Sequence, residues 1–347
     1  GSATCKVPPV MICNPAESTD PDFTVGNYVG KGLKLVAVGG NNHNNGGSET
    51  TQGAGSAWAP GNFGYLDTGG GSNGVPGLRE ALGWTSAPGD CSPSTGVDTK
   101  PGANVSVTDS LNTRFDIGNS HPVCPNGGAC PPSANSVKDL IKTSATNGQA
   151  CNIHNSGWRI SSNPYLPAST TPLANSGIND PNAMGHPRDI CHAVDSGVSG
   201  ACTGPIGDGL WDVDAYFRVN YNGATSAQWK AALSSSANYP VTATGGTPPY
   251  GVTRYEVYRW EMANAGTTLN GQTVLGPRVV SGSLNSYGGA YCTPPGITPG
   301  GNTPDRRRIS VAVVNCDAEE VRGNSTGVEV VKWLDVFLVE PSLNRAR

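Results

Sequence analysis

Apolar and polar positions along the chain divide it into a few strand-like runs set in long polar stretches. The two most strand-like runs close the sequence. Ile309–Val314 and Val328–Val339 are β-branched and apolar at both parities, the pattern of strands covered on two sides. The residues between them carry acids and an Asn-Ser-Thr-Gly turn, so the two runs read as arms of a long hairpin. Trp211–Tyr221 alternates strictly: Trp211, Val213, Ala215, Phe217, Val219 and Tyr221 against Asp212, Asp214, Tyr216, Arg218 and Asn220, which predicts a strand with one buried face. Further strands are predicted over 33–40, 253–260 and 273–280. Helical spacing predicts short helices over 76–84, 133–145, 187–194 and 226–235, the last with Trp229 and Leu233 four apart.

The remainder is loop. The chain of 347 residues holds 48 glycines and 28 prolines, and 39–57 and 65–77 are dominated by Gly and Asn. Short helices among scattered strands predict an α+β, mainly β fold: an antiparallel sheet core with short helices and long Gly/Pro-rich loops. The sequence reads as one domain over 3–347, with weak linkers near 245–251 and 293–304, and Gly1–Ser2 as a tag-cleavage scar.

Charge narrows the function classes. Charged residues make up 14% and the net charge is -4, with no basic run beyond Arg306–Arg308, so nucleic acid is not an expected partner. That triplet is expected to solvate the start of the last hairpin. Ten cysteines (Cys5, Cys13, Cys91, Cys124, Cys130, Cys151, Cys191, Cys202, Cys292 and Cys316) contain no CxxC pair. Scattered through a loop-rich chain, they predict five disulfides and an oxidising compartment. The expected pairs are Cys124–Cys130, Cys191–Cys202 and Cys292–Cys316. No run of 18 apolar residues is present.

Three constellations carry possible chemistry. Gly323-Asn-Ser325-Thr-Gly327 has the form GxSxG, but it leaves into a strand where a nucleophile elbow enters a helix, so a hairpin turn is expected. The histidines His43, His121, His154, His186 and His192 show no metal-ligand spacing. Asp208, Asp212 and Asp214 gather hard oxygens at a Gly-rich turn; they are either a Ca²⁺ site or a cluster neutralised by Arg218 and other arginines. The segment Asp195–Ser199 lacks the middle hydroxyl of a DxSxS metal-adhesion motif.

Five segments resemble one family in order along the chain: CKVPPVMICNPAE (5–17), WAPGNFGYLD (58–67), LNTRFDI (111–117), TRYEVYRWE (253–261), and ISVAVVNC with VKWLDVFLVEP (309–316, 331–341). They are similar to the C-terminal region of TadG-like proteins of the bacterial Tad (Flp, type IVc) pilus system. The resemblance implies a non-enzymatic extracytoplasmic protein of the periplasm or cell surface, anchored by an N-terminal membrane helix missing from this sequence. It implies a role in pilus assembly, or as a minor or tip subunit, through contacts with other Tad pilus or envelope proteins. Trp58, Phe63 and Tyr65 are candidate contact residues. The alternatives are a calcium-stabilised surface adhesin and a secreted hydrolase.

Overall fold

The computed structural model describes residues 7–33, 62–68, 75–83, 96–101, 107–118, 130–142, 151, 157–160, 183–192, 194–195, 198–199, 202, 206–242, 251–281, 284–293, 296–301 and 305–342. Within them lie five α-helices: α1 (Val75–Gly83), α2 (Thr108–Thr113), α3 (Val213–Asn220), α4 (Ser226–Ser234) and α5 (Arg254–Ala263). The strands are β1 (Val10–Cys13), β2 (Asn62–Leu66), β3 (Thr99–Pro101), β4 (Leu140–Lys142), β5 (Trp158–Ile160), β6 (Val194–Asp195), β7 (Val198–Ser199), β8 (Thr268–Leu269), β9 (Gln272–Thr273), β10 (Pro277–Ser281), β11 (Leu284–Tyr287), β12 (Arg308–Val314) and β13 (Lys332–Phe337). The class is α+β with mostly antiparallel sheets, short helices and disulfides.

The main sheet has the order β13-β12-β1-β2-β3. The closing hairpin forms as its pattern requires, β12 against β13 from Arg308↔Phe337 to Val313↔Lys332. Its other neighbour is β1, paired in parallel with Val10 opposite Val311 and Cys13 opposite Val314. Central β12 is also buried on both faces beyond its first residues, which accounts for its apolar run. Ile309, Val311 and Val313 enter one cluster with Val10, Ile12, Phe23 and Tyr65. Ala312 and Val314 enter another with Met11, Cys13, Leu66 and Val328. A second sheet, β10-β11-β4-β5, lies apart from the first in its hydrogen bonding, and α3, α4 and α5 build a third apolar cluster around Phe217, Trp229 and Trp260.

The largest departure from the sequence pattern is 211–221, which is not a strand but α3. Asp212 caps the helix, its carboxylate accepting from Ala215 N–H at 2.8 Å. Val213, Tyr216, Phe217 and Asn220 then fall on one buried stripe, so the run carries both periods and the cap decides between them. Likewise 253–260 is helix α5: Thr253 and Glu256 form a reciprocal capping box that a strand would not use. The reverse holds for 133–145, where the described residues 133–142 form no helix: they run irregularly, buried apart from Ala134, into β4. Residues 187–194 give only a 3-10 turn, Ile190–His192, and the 273–280 run is split by Leu275 (φ 60°) and Gly276 before β10. The helices predicted at 76–84 and 226–235 are α1 and α4. The strand predicted at 33–40 lies outside the described residues beyond Leu33, as does most of the 245–251 linker.

Three disulfides join described cysteines: Cys13–Cys316, Cys151–Cys292 and Cys191–Cys202. The last is as expected. Cys292 and Cys316 are not partners, because Cys316 follows β12 and faces the end of its parallel neighbour β1, which carries Cys13. Cys130 is also disulfide-bonded, and Cys5, Cys91 and Cys124, with the expected Cys124–Cys130 pair, lie outside the described residues.

Candidate functional site

The basic triplet that opens β12 does not solvate it. Arg306 and Arg307 are fully buried and only Arg308 is exposed. Arg306 donates to the carbonyls of Pro131 (2.8 Å) and Gly83 (2.7 Å). Arg114, in the segment after α2, donates from Nε and Nη2 to Leu82 O at 2.9 and 2.6 Å and from Nη1 to Arg306 O. Two guanidinium groups thus close the C-terminal carbonyls of α1, where the helix leaves acceptors unpaired and a cation is favoured. Arg307 donates to Leu338 O (2.9 Å) and Val339 O (2.8 Å), its plane lying over the rings of Phe115 (4.4 Å) and Phe337 (4.6 Å). Burial lowers the pKa of Arg306 and of Arg307 to about 10.

Beyond Arg307 lies a buried cluster of titratable groups. Glu261 of α5 is fully buried. Its Oε1 accepts from Tyr216 Oη and Tyr221 Oη, both at 2.6 Å, and its Oε2 from Asn135 Nδ2 at 2.7 Å. Burial pushes its pKa up against the pull of those three hydrogen bonds. The tyrosines are raised well above their usual range, by burial first and then by the Glu261 charge. His186 joins Glu261 to Arg307. Its Nδ1 lies 3.3 Å from Arg307 Nη1 and its Nε2 3.7 Å from Glu261 Oε2. An arginine can only donate, so Nδ1 is the acceptor and the imidazole proton sits on Nε2, facing the carboxylate. Burial and then the charges of Arg307 and Arg254 hold His186 well below its usual pKa, hence neutral.

A second knot forms around Asp189. Its Oδ1 accepts from Arg254 Nη2 at 2.6 Å, and its Oδ2 from Gly32 N–H at 2.8 Å and Gly209 N–H at 2.7 Å. Glycine is required here: a Cβ at Gly207 would sit 2.0 Å from the Asp189 carboxylate, and one at Gly32 2.8 Å away.

The three aspartates expected to share a cation are separated by their structural duties. Asp212 caps α3. Asp214 Oδ1 accepts from Ser226 Oγ (2.6 Å) and Trp229 Nε1 (2.8 Å), tying α3 to α4. Asp208 is exposed and accepts from Leu210 N–H at 3.0 Å. Among the described residues, Asp208 converges with Asp189 and Cys191, and Cys191 and Cys202 with His192, and not with Asp212 and Asp214. Asp189 is committed to Arg254 and two backbone amides, and the Cys191 sulfur is bonded to that of Cys202, so neither set presents three free ligands.

Ser325 spends its hydroxyl inside its own turn, accepting from Arg322 N–H (2.9 Å) and donating to Arg322 O (3.2 Å), while its N–H donates to Thr99 Oγ1 (2.7 Å). Neither partner of the hydroxyl is a base, and the motif is the hairpin-loop turn expected of it. Asp195 and Ser199 lie on the two-residue strands of the β6–β7 hairpin. Tyr65 is fully buried in the sheet core and supports β2 from within, so it is not an exposed contact. Phe63 lies on β2, and Trp58, His43, His121 and His154 fall outside the described residues. His192 is buried.

Sequence pattern did not single out Glu261, and it placed Arg306 and Arg307 in solvent, where the fold buries them. The available signals were an acid on the apolar face of Val257, Tyr258 and Trp260, and cations abutting the most apolar strand. No protein-family model matches the chain, and no curated protein or solved structure is significantly similar to it.

Proposed function

We propose that this chain is a non-enzymatic extracytoplasmic component of a Tad (Flp, type IVc) pilus, acting in pilus assembly or as a minor or tip subunit through protein–protein contact. One observation carries the reading: the segments that resemble TadG-like proteins meet in space. The segment 5–17 supplies β1, 58–67 supplies β2, and 309–316 with 331–341 supply β12 and β13, four neighbours in one sheet. The segment 111–117 supplies Arg114, which grips Arg306 O, and Phe115, which lies against Arg307. The segment 253–261 is α5, whose Arg259 pairs with Asp305 at 3.0 Å just before β12. Residues scattered over most of the sequence thus form one folding unit, as expected if the likeness reflects a common fold.

Glu261, His186 and Arg307 are sealed and mutually engaged, and Ser325 is bound within its turn, so the chain displays no assembled nucleophile, base and orienting partner among the described residues. The disulfides fit an oxidising, extracytoplasmic compartment.

Deleting the gene in a piliated host is expected to abolish or alter pili visible by electron microscopy, and a Ser325→Ala copy is expected to restore them. Normal pili in the deletion strain would overturn the pilus assignment. Failure of a folded Ser325→Ala protein to restore pili would overturn the non-enzymatic one.

A further inference from the structure

We propose that His186 makes the seam between the helical layer and the β12–β13 edge of the sheet an acid-sensitive latch. The inference does not depend on the pilus reading. His186 stands where the two bodies meet. On one side its ring stacks on Tyr216 of α3, centroids 4.8 Å apart at 21°, and on the other it meets Phe337 of β13 edge-on at 5.5 Å. Its side chain is wholly buried.

The groups around the ring decide what a second proton would do. β12 presents Arg307, with Nη1 3.3 Å from Nδ1. α5 presents Glu261 and Arg254, the latter already paired with Asp189. α3 presents the hydroxyls of Tyr216 and Tyr221, both directed at Glu261. β10 contributes Arg278, whose charge is felt by Glu261's two tyrosine partners. Arg188, beside His186 in sequence, is turned to Glu340. Lys138 lies over Trp158, within range of Arg307's charge. Among the described residues Glu261 is paired with the ring and favours an imidazolium, but three hydrogen bonds already hold its charge. Protonating Nδ1 would remove the acceptor that Arg307 uses and set two cations side by side without water.

The sign follows. With the seam closed His186 resists its proton; with the seam open it titrates near the usual ~6.5. Below that pH the open form gains roughly tenfold in population per pH unit until the closed form also protonates. Glu261 acts in the opposite sense. Its pKa is raised in the closed form, so its protonation at lower pH relieves part of the loss. The sheet has its own tie, because Cys13–Cys316 fastens β1 to the end of β12 independently of the helices. Acid should therefore loosen α3 and α5 before it loosens β1 and β12.

Hydrogen exchange with mass spectrometry on the full, oxidised chain between pH 7.5 and 5.0, corrected for intrinsic exchange, tests this. Protection of α3 and α5 should fall about tenfold per unit below pH 6.5, with β1 and β12 unchanged, and His186→Gln should flatten that slope. Equal loss in sheet and helices, or an unchanged slope in His186→Gln, would overturn the latch. Should that variant not fold, the wild-type His186 ring signal in NMR decides: titration near pH 6.5 with α3 and α5 still protected would overturn the latch, and a neutral ring until protection is lost would support it.

Discussion

Cys13 and Cys316 stand 303 residues apart in the chain, yet their Cα atoms are 5.3 Å apart and their sulfurs are bonded. The link closes the end of the parallel β1–β12 pair, in which Cys13 lies opposite Val314. A parallel pair needs a crossover, and here the crossover is nearly the entire molecule. The sheet centre is thus made by the two ends of the described chain, and what lies between is folded against it.

Peptide mapping without reduction should recover Cys13–Cys316, Cys151–Cys292 and Cys191–Cys202, with no Cys292–Cys316 peptide. In a chain-entropy account the short loop of Cys191–Cys202 contributes about 3 kcal/mol and the long loop closed by Cys13–Cys316 about 6 kcal/mol, both as upper bounds. The Cys13→Ser/Cys316→Ser pair should therefore lower Tm further than Cys191→Ser/Cys202→Ser in thermal melts of the otherwise oxidised protein.

Glu261→Ala should destabilise strongly. It leaves Tyr216 Oη, Tyr221 Oη and Asn135 Nδ2 without their acceptor and Arg307 without its nearby anion, a loss of about 3–5 kcal/mol by analogy with broken buried pairs. Glu261→Gln keeps the shape and one acceptor oxygen and should lose clearly less. Urea unfolding at pH 7 separates the two, and equal losses would show that the charge, not the hydrogen-bonded shape, matters.

Lys138 is fully buried, its Nζ 3.9 Å from the centre of the Trp158 ring and 3.3 Å from Ser136 O. Burial lowers its pKa to about 8. Between pH 8 and the unfolded value of ~10.4 the unfolded chain holds a proton that the folded chain has released, so stability rises with pH in that window and is flat just below it. Lys138→Met should remove the rise. The comparison is best read from urea midpoints at pH 7.0, 8.0 and 9.0, where Arg306 and Arg307 stay largely protonated.

Asp212 acts as a helix cap in this fold, and its substitution should show it. Asp212→Ala should cost about 1 kcal/mol, while Asp212→Asn, still a good cap, should be nearly neutral. Chelator should leave the melting temperature of wild type and both variants unchanged. A chelator-dependent melt abolished by Asp212→Asn would restore the calcium reading of Asp208, Asp212 and Asp214.

Local pattern by itself determined those elements whose neighbours agree with it. The runs at 309–314 and 328–339 read as strands covered on both faces, and β12 and β13 followed, but only central β12 is so covered; β13 is a shorter, half-exposed edge strand at Lys332–Phe337. Trp229 and Leu233, four apart behind a Thr225 cap, could only be a helix facing a core. The even cysteine count pointed to disulfides, and Cys191–Cys202 is local enough to be guessed. The tertiary structure decided the rest, because the deciding energies are non-local. The alternation of 211–221 satisfies a strand and a helix equally, and packing against Trp229 and Trp260, with the Asp212 cap, selects α3. Residues 133–145 read as a helix until β5 and β11 pair with β4 at Leu140–Lys142. Arg306 and Arg307 look like surface charge in any window of sequence. They are buried because carbonyls from Gly83, Pro131, Leu338 and Val339, drawn from far apart in the chain, replace the water that free guanidinium groups would require.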